Sequence, residues 1–175
     1  MTRLRRKSLR SDTRGATMIE FAILAPIFFA ILAAILETSI QYFAAQVFES
    51  GVYDASRNIR VGMAQREGWS AVEYKKDVCD RLYGLFGDCS DMLVSVKQIN
   101  DFKSVSYSVP VDPSCKQNCK WTQPDNWAPG GSSSVVLVQA YYRYPSILRL
   151  PFAANVLGDG RTLISAATVF RNEPF

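Results

Sequence analysis

Phe21-Ala22-Ile23-Leu24-Ala25-Pro26-Ile27-Phe28-Phe29-Ala30-Ile31-Leu32-Ala33-Ala34-Ile35-Leu36 is a run of sixteen residues without a charge. As a helix it spans about 24 Å, short of the ~30 Å hydrocarbon core of a bilayer, and residues 16–19 and 38–40 make up the difference. Directly before it stand Arg3, Arg5, Arg6, Lys7, Arg10 and Arg14, opposed within residues 1–15 by Asp12 alone. A buried core helix, a cleaved export signal and an uncleaved membrane span all fit an apolar run of this kind. Residues 37–50 continue with neither Gly nor Pro, so the helix does not break where a signal peptidase would cut. The uncleaved span is therefore preferred. The basic flank puts the N-terminus in the cytoplasm and everything after about residue 40 on the far side, as a single pass.

Beyond the run, Ile40, Phe43, Ala44, Val47, Phe48, Gly51, Val52, Ala55, Ile59 and Met63 follow the spacing of one helical face. Glu37, Gln41, Gln46, Glu49, Tyr53, Arg57 and Arg60 are assigned to the opposite, solvated face. Residues 16–63 thus read as one helix about 70 Å long, half in lipid and half beneath a soluble domain, with Gly51 and Gly62 as weak points. Two residues are costly inside it. Pro26 frees the carbonyl of Ala22, and Glu20 puts a carboxylate at the cytoplasmic end of the apolar segment.

The chain has 20 Lys+Arg, 16 Asp+Glu and no His in 175 residues, a net charge of +4. That excess lies in residues 1–15, and the rest carries 14 positive and 15 negative groups. A near-neutral body gives no support to nucleic-acid binding by the folded part. Without histidine the commonest general base and the Ser-His and Cys-His nucleophile pairs are excluded. With no phosphate loop and no paired carboxylates in a plausible pocket, the chain does not read as an enzyme, and no cofactor is expected.

The stretch Arg14-Gly15-Ala16-Thr17-Met18-Ile19-Glu20-Phe21-Ala22, running through Pro26 to Phe43-Ala44-Ala45-Gln46 and Asp54-Ala55-Ser56-Arg57, resembles the TadE-like minor pilins (pseudopilins) of bacterial Flp/Tad pilus systems. In that family a prepilin peptidase removes a basic leader ending in Gly, and the fifth mature residue is Glu followed by an aromatic. The resemblance makes Gly15 the last leader residue, Ala16 the mature N-terminus, and Glu20-Phe21 the fifth and sixth residues. It covers residues 14–62, with Arg171-Asn172-Glu173-Pro174 similar to the ending of some members. It implies a minor pilin matured by prepilin peptidase and acting in pilus biogenesis and surface adherence. The implied partners are other minor and major pilins, the inner-membrane assembly platform and membrane lipid, with final incorporation in an extracellular pilus. Glu20, Phe21 and Pro26 would serve assembly, Glu20 meeting a neighbour's N-terminal ammonium near a helix N-terminus that favours negative charge. The alternative is a single-pass anchored periplasmic binding or sensory module that keeps its leader.

Cys79, Cys89, Cys115 and Cys119 lie on the side expected to be oxidising, and their spacing without histidine matches structural zinc poorly. Two disulfides are expected over a metal site; of three pairings, Cys79–Cys89 with Cys115–Cys119 is preferred on proximity. Residues 69–86 read as a second helix with Ser70 as cap and Gly84 and Gly87 at its end. Strands are expected at 92–99, 103–111, 135–144 and 162–171, and a long loop at 112–134. Trp121 and Trp127 in that loop are read either as a contact surface or as packing residues, and Tyr142 and Tyr144 as core or cross-strand residues. The resulting division is a leader at 1–15, a transmembrane helix at 16–40, its amphipathic extension at 41–64 and a periplasmic domain at 65–175. The fold class is α+β, pilin-like, with the long helix packed on a small antiparallel sheet and one further helix.

Overall fold

The computed structural model describes residues 15–100, 109–112, 114–146 and 157–175. Helix α1 runs unbroken over Ala16–Arg60, followed by a single turn, α2 (Met63–Arg66), and by α3 (Ala71–Asp80). Strands β1 (Met92–Ile99), β2 (Asn126–Trp127), β3 (Val135–Pro145) and β4 (Arg161–Arg171) form one sheet in the order β2-β1-β3-β4. The fold is α+β: a long N-terminal helix, a small sheet and a short helix.

Alternation decides the sheet. In β1 and β3, Val94, Val96, Val136, Val138, Ala140 and Tyr142 turn to the helix side and join the core, and in β4 Ile164 and Ala166 do the same. β3 pairs antiparallel with β1 from Met92↔Tyr142 to Ile99↔Val135, and with β4 from Val135↔Arg171 to Pro145↔Arg161. The sheet is mixed, because β2 joins β1 in parallel through Ser95↔Asn126 and Val96↔Trp127. Asp125 makes that junction: its Oδ1 accepts from the Val94 amide at 2.9 Å and its Oδ2 takes the Lys75 ammonium at 2.6 Å. The expected 112–134 loop is therefore interrupted at Asn126–Trp127. Of the strand expected at 103–111, residues 103–108 lie outside the described residues, and Val111 forms an isolated bridge with Trp121.

The core lies between the sheet and one stripe of α1: Ala44, Phe48, Val52, Ala55 and Ile59, each 2% exposed or less. Tyr74 and Val78 of α3 and Leu82 and Phe86 after it close the side. Phe86 packs edge-on to Tyr142 at 4.7 Å and against Phe48 at 5.5 Å, and the Tyr142 hydroxyl donates to the Phe86 carbonyl at 2.9 Å. Gly51 is no weak point in the helix. A Cβ there would stand 2.8 Å from Leu82 Cδ2, so glycine permits the close approach.

Ser70 caps α3 with a reciprocal capping box, its hydroxyl accepting from the Val72 amide while Glu73 accepts from the Ser70 amide. The helix stops at Asp80, short of the expected residue 86, since Tyr83, Gly84 and Gly87 take positive φ and Cys79 is bonded to Cys89. α1 ends at Arg60 because Gly62 turns left-handed, φ +78°, beneath the ring of Phe175, where any side chain would collide. The Glu173 amide donates to the Arg60 carbonyl at 2.9 Å and takes up one of the orphan acceptors at the helix end.

Phe48→Ala is expected to destabilise the detergent-solubilised protein by about 3–5 kcal/mol. Tyr53→Ala, at an exposed position of the same helix, should stay within ~0.5 kcal/mol. Denaturant titration followed by near-ultraviolet circular dichroism distinguishes the two.

Candidate functional site

Nothing in the domain shelters the first half of α1. Met18, Ile19, Phe21, Ile23, Leu24, Ile27, Phe28, Phe29, Ile31, Ile35 and Leu36 are all exposed, and the helix is long and apolar enough to cross a membrane. A surface apolar all round is of the kind that a membrane span presents. The helix begins at Ala16, with Gly15 as a cap residue that contributes no side-chain bond and has open space around it. The first turn holds no acidic residue, so its orphan N–H groups are unmatched by charge until Glu20, one turn on. Pro26 sits inside the helix without ending it, leaving the Ala22 carbonyl without the amide that normally meets it. Gly15, Ala16, Glu20, Phe21 and Pro26 thus stand together on one exposed rod.

Where the rod enters the domain the helix faces differ from the sequence expectation. Glu37, assigned to the solvated face, is 6% exposed, and Gln41 is half-buried beside it. Ile40 and Phe43, assigned to the core face, are 47% and 61% exposed. Near the end of the sheet the surface that meets α1 is polar. Gln41 Nε2 donates to Glu37 Oε1 at 3.0 Å and to Ser146 Oγ at 3.2 Å, and Ser146 Oγ lies 2.6 Å from Thr162 Oγ1. A polar patch recruits the polar edge of the helix and leaves the apolar edge outside.

The four cysteines pair as Cys79–Cys89 and Cys115–Cys119, far along the chain from the rod. Among the described residues no group of three or more His, Cys, Asp or Glu is placed to hold a metal ion. One ionic cluster was invisible to sequence reasoning. Asp91 binds Arg143 through one oxygen and Arg161 Nη1 at 2.6 Å through the other. Arg143 also donates to the Cys119 carbonyl and lies 4.9 Å over the Trp121 ring, while Asp159 accepts from the Cys119 amide at 3.2 Å. This cluster fastens the small disulfide loop to β3 and β4 and lines a cavity of about 260 Å³ with Asn118 and Lys120. Residues 91, 119, 143, 159 and 161 share no local pattern that could have announced it. Trp127 packs on Tyr74 at 5.5 Å, so both loop tryptophans are packing residues. Tyr142 is in the core, and Tyr144 packs against it with its ring 5.7 Å from Phe86.

Burial pushes the Tyr74 phenol well above its ordinary pKa, even though it shares a hydrogen bond with Ser56 Oγ at 2.9 Å. Burial, with the charge of Asp91, raises Tyr142 as well. Both groups stay protonated in the fold, Tyr74 hydrogen-bonded to Ser56 and the Val52 carbonyl and Tyr142 to the Phe86 carbonyl.

The comparisons with known proteins bear on the rod. Residues 15–57 match the family described as TadE-like protein. The matched segment takes in Gly15, Glu20, Phe21, Pro26 and the helix as far as the core stripe. The likeness is to TadE-like proteins of the Tad pilus system, and it covers the long helix and not the domain that follows. No curated protein and no solved structure matches the chain.

Because the unfolded chain releases the Tyr74 proton above pH ~10 and the folded chain holds it, stability falls as pH rises past that value. The expected slope is up to about 1.4 kcal/mol per pH unit for each such group. Tyr74→Phe should flatten the alkaline limb by one proton's worth in unfolding measured between pH 9 and pH 11.

Proposed function

We propose that this protein is a minor pilin, or pseudopilin, of a Tad-type pilus assembly machine. The observation that carries the reading is a helix that begins at Ala16, is apolar on all sides and largely exposed from Phe21 to Leu36, and lies within the TadE-like match. An apolar cylinder of this kind needs lipid before assembly, and afterwards it needs the helices of other subunits. The precursor is held in the inner membrane as a single pass, with the basic leader in the cytoplasm and the domain in the periplasm. A prepilin peptidase then cuts between Gly15 and Ala16, which frees an ammonium at the first residue of the helix.

Glu20 is the partner for such an ammonium on an adjacent subunit. Neutralising two charges in low dielectric offsets part of their desolvation and fixes the register of neighbouring helices. Pro26 leaves a carbonyl for a neighbouring helix or a local kink to satisfy. The role is structural, with major and minor pilins and the inner-membrane assembly platform as partners, and pilus-dependent adherence as its outcome. The disulfide-stapled domain is then the part that projects from the helix bundle.

Gly15→Arg is expected to leave an unprocessed precursor in the membrane, read by the intact mass of the purified protein; normal maturation would overturn the pilin reading in favour of a permanently anchored periplasmic module. Glu20→Gln should be inserted and keep both disulfides, yet lose most of its co-purification with other pilins. Association equal to the unsubstituted protein, with normal cleavage, would show that the carboxylate has no part in assembly.

A further inference from the structure

The charge-free run alone is too short for its task. Phe21 to Leu36 covers about 24 Å, against a hydrocarbon core of ~30 Å. Residues 38–40 count toward the span, yet Glu37-Thr38-Ser39-Ile40-Gln41-Tyr42-Phe43 carries four polar side chains at its end, at positions 37, 38, 39 and 41. Their surroundings show how these are accommodated. Glu37 is buried against the domain and accepts from Gln41, which is itself turned to Ser146. Thr38 Oγ1 donates to the Ala34 carbonyl and Ser39 Oγ to the Ile35 carbonyl, each at 2.8 Å, so both hydroxyls are satisfied within the helix. Besides these internally bonded hydroxyls, what faces outward is Leu36, Ile40 and Phe43, one turn above another, with Tyr42 beside them. After Glu20, the first exposed charged side chain on α1 is Glu49.

We infer that the bilayer covers α1 as far as Phe43, so that the domain is seated on the lipid with its Glu37–Gln41–Ser146 contact below the level of the outermost hydrocarbon. This rests on the membrane-span reading proposed above and extends it. From Phe21 to Phe43 the helix measures about 34 Å, enough to cross with modest tilt. Lipid is the occupant because the outward face at 36, 40 and 43 continues directly from residues 21–36, a run largely exposed and apolar around the helix. Tyr42 then lies at the depth where amphipathic rings collect, and Gln46 and Glu49 stand in headgroups and water. Glu37, about 9 Å along the axis below Phe43, is a carboxylate at hydrocarbon depth that the protein's own domain keeps from lipid.

The test uses the full-length chain reconstituted in vesicles of phosphatidylethanolamine and phosphatidylglycerol. No native cysteine among the described residues is free, so single added thiols in Ala30→Cys, Ile40→Cys, Phe43→Cys and Glu49→Cys variants take a nitroxide label alone. Collision rates with oxygen, which concentrates in hydrocarbon, and with a water-soluble nickel chelate are then compared. Labels at 30, 40 and 43 should show an oxygen-to-nickel ratio several-fold above that at 49. If 40 and 43 behave like 49 while 30 stays in lipid, the inference fails and the membrane span stands. If 40 and 43 are shielded from both reagents, another protein surface such as a second copy covers them, and the inference again fails. Nickel access at position 30 would remove the membrane span itself, and this inference with it.

Discussion

The stripe Ala44, Phe48, Val52, Ala55 and Ile59 on α1 is the surface against which both the sheet and the α3 region close, and each of its side chains is almost wholly removed from water. A domain with one short helix and a four-stranded sheet has little else to bury its apolar face against. The sheet contributes valines at Val94, Val96, Val136 and Val138, whose branched side chains lie flat on the pleat and leave room for Phe48 to reach Phe86 and Tyr142. Glycine at position 51 lets Leu82 come to the helix backbone where a larger residue would hold it off.

Away from this seam the fold is held by fasteners. The capping box at Ser70 and Glu73 starts α3, and the Ser70 hydroxyl and amide keep the Glu73 carboxyl below its ordinary pKa. The Cys79–Cys89 bond closes the turn that leads into β1. At the other side of the sheet, the Asp91 carboxylate divided between two arginines ties β3 and β4 to the Cys115–Cys119 loop. Arg143 is largely enclosed, so removing Asp91 would strand a cation and cost more than an exposed ion pair contributes.

Much of this could be read from the residues. The start of α1, the positions of β1, β3 and β4, the Ser70 cap and the TadE-like character of the N-terminal helix follow from local patterns: a charge-free run, partial alternation in β1, runs rich in β-branched residues in β3 and β4, a capping sequence and the Gly15-to-Phe21 spacing. Two kinds of feature did not follow. One depends on distant groups meeting, as at Asp91, Arg143 and Arg161, or on a two-residue strand laid beside β1 by Asp125, and no window of sequence holds such information. The other is the exchange of faces at Glu37, Ile40, Gln41 and Phe43. Hydrophobic periodicity assumes that the buried side of a helix is the apolar side. That assumption inverts where the surface that meets the helix is itself polar, as at Ser146 and Thr162.

The last residues of the chain give the long helix a second hold on the domain. Asn172 bonds the Ser134 carbonyl through its amide and the Pro129 and Gly131 carbonyls through its side chain, Glu173 takes the Arg60 carbonyl, and Phe175 covers Gly62. These contacts continue directly from β4, which is bonded to β3 along eleven residue pairs. Tension applied along α1 from its N-terminal end therefore reaches the sheet at two points, the core stripe and this far clamp. Both β-ladder hydrogen bonds and interlocked side chains resist sliding together, whereas a single contact at one end would peel bond by bond. A pull along α1 is thus shared between two separate attachments to the sheet.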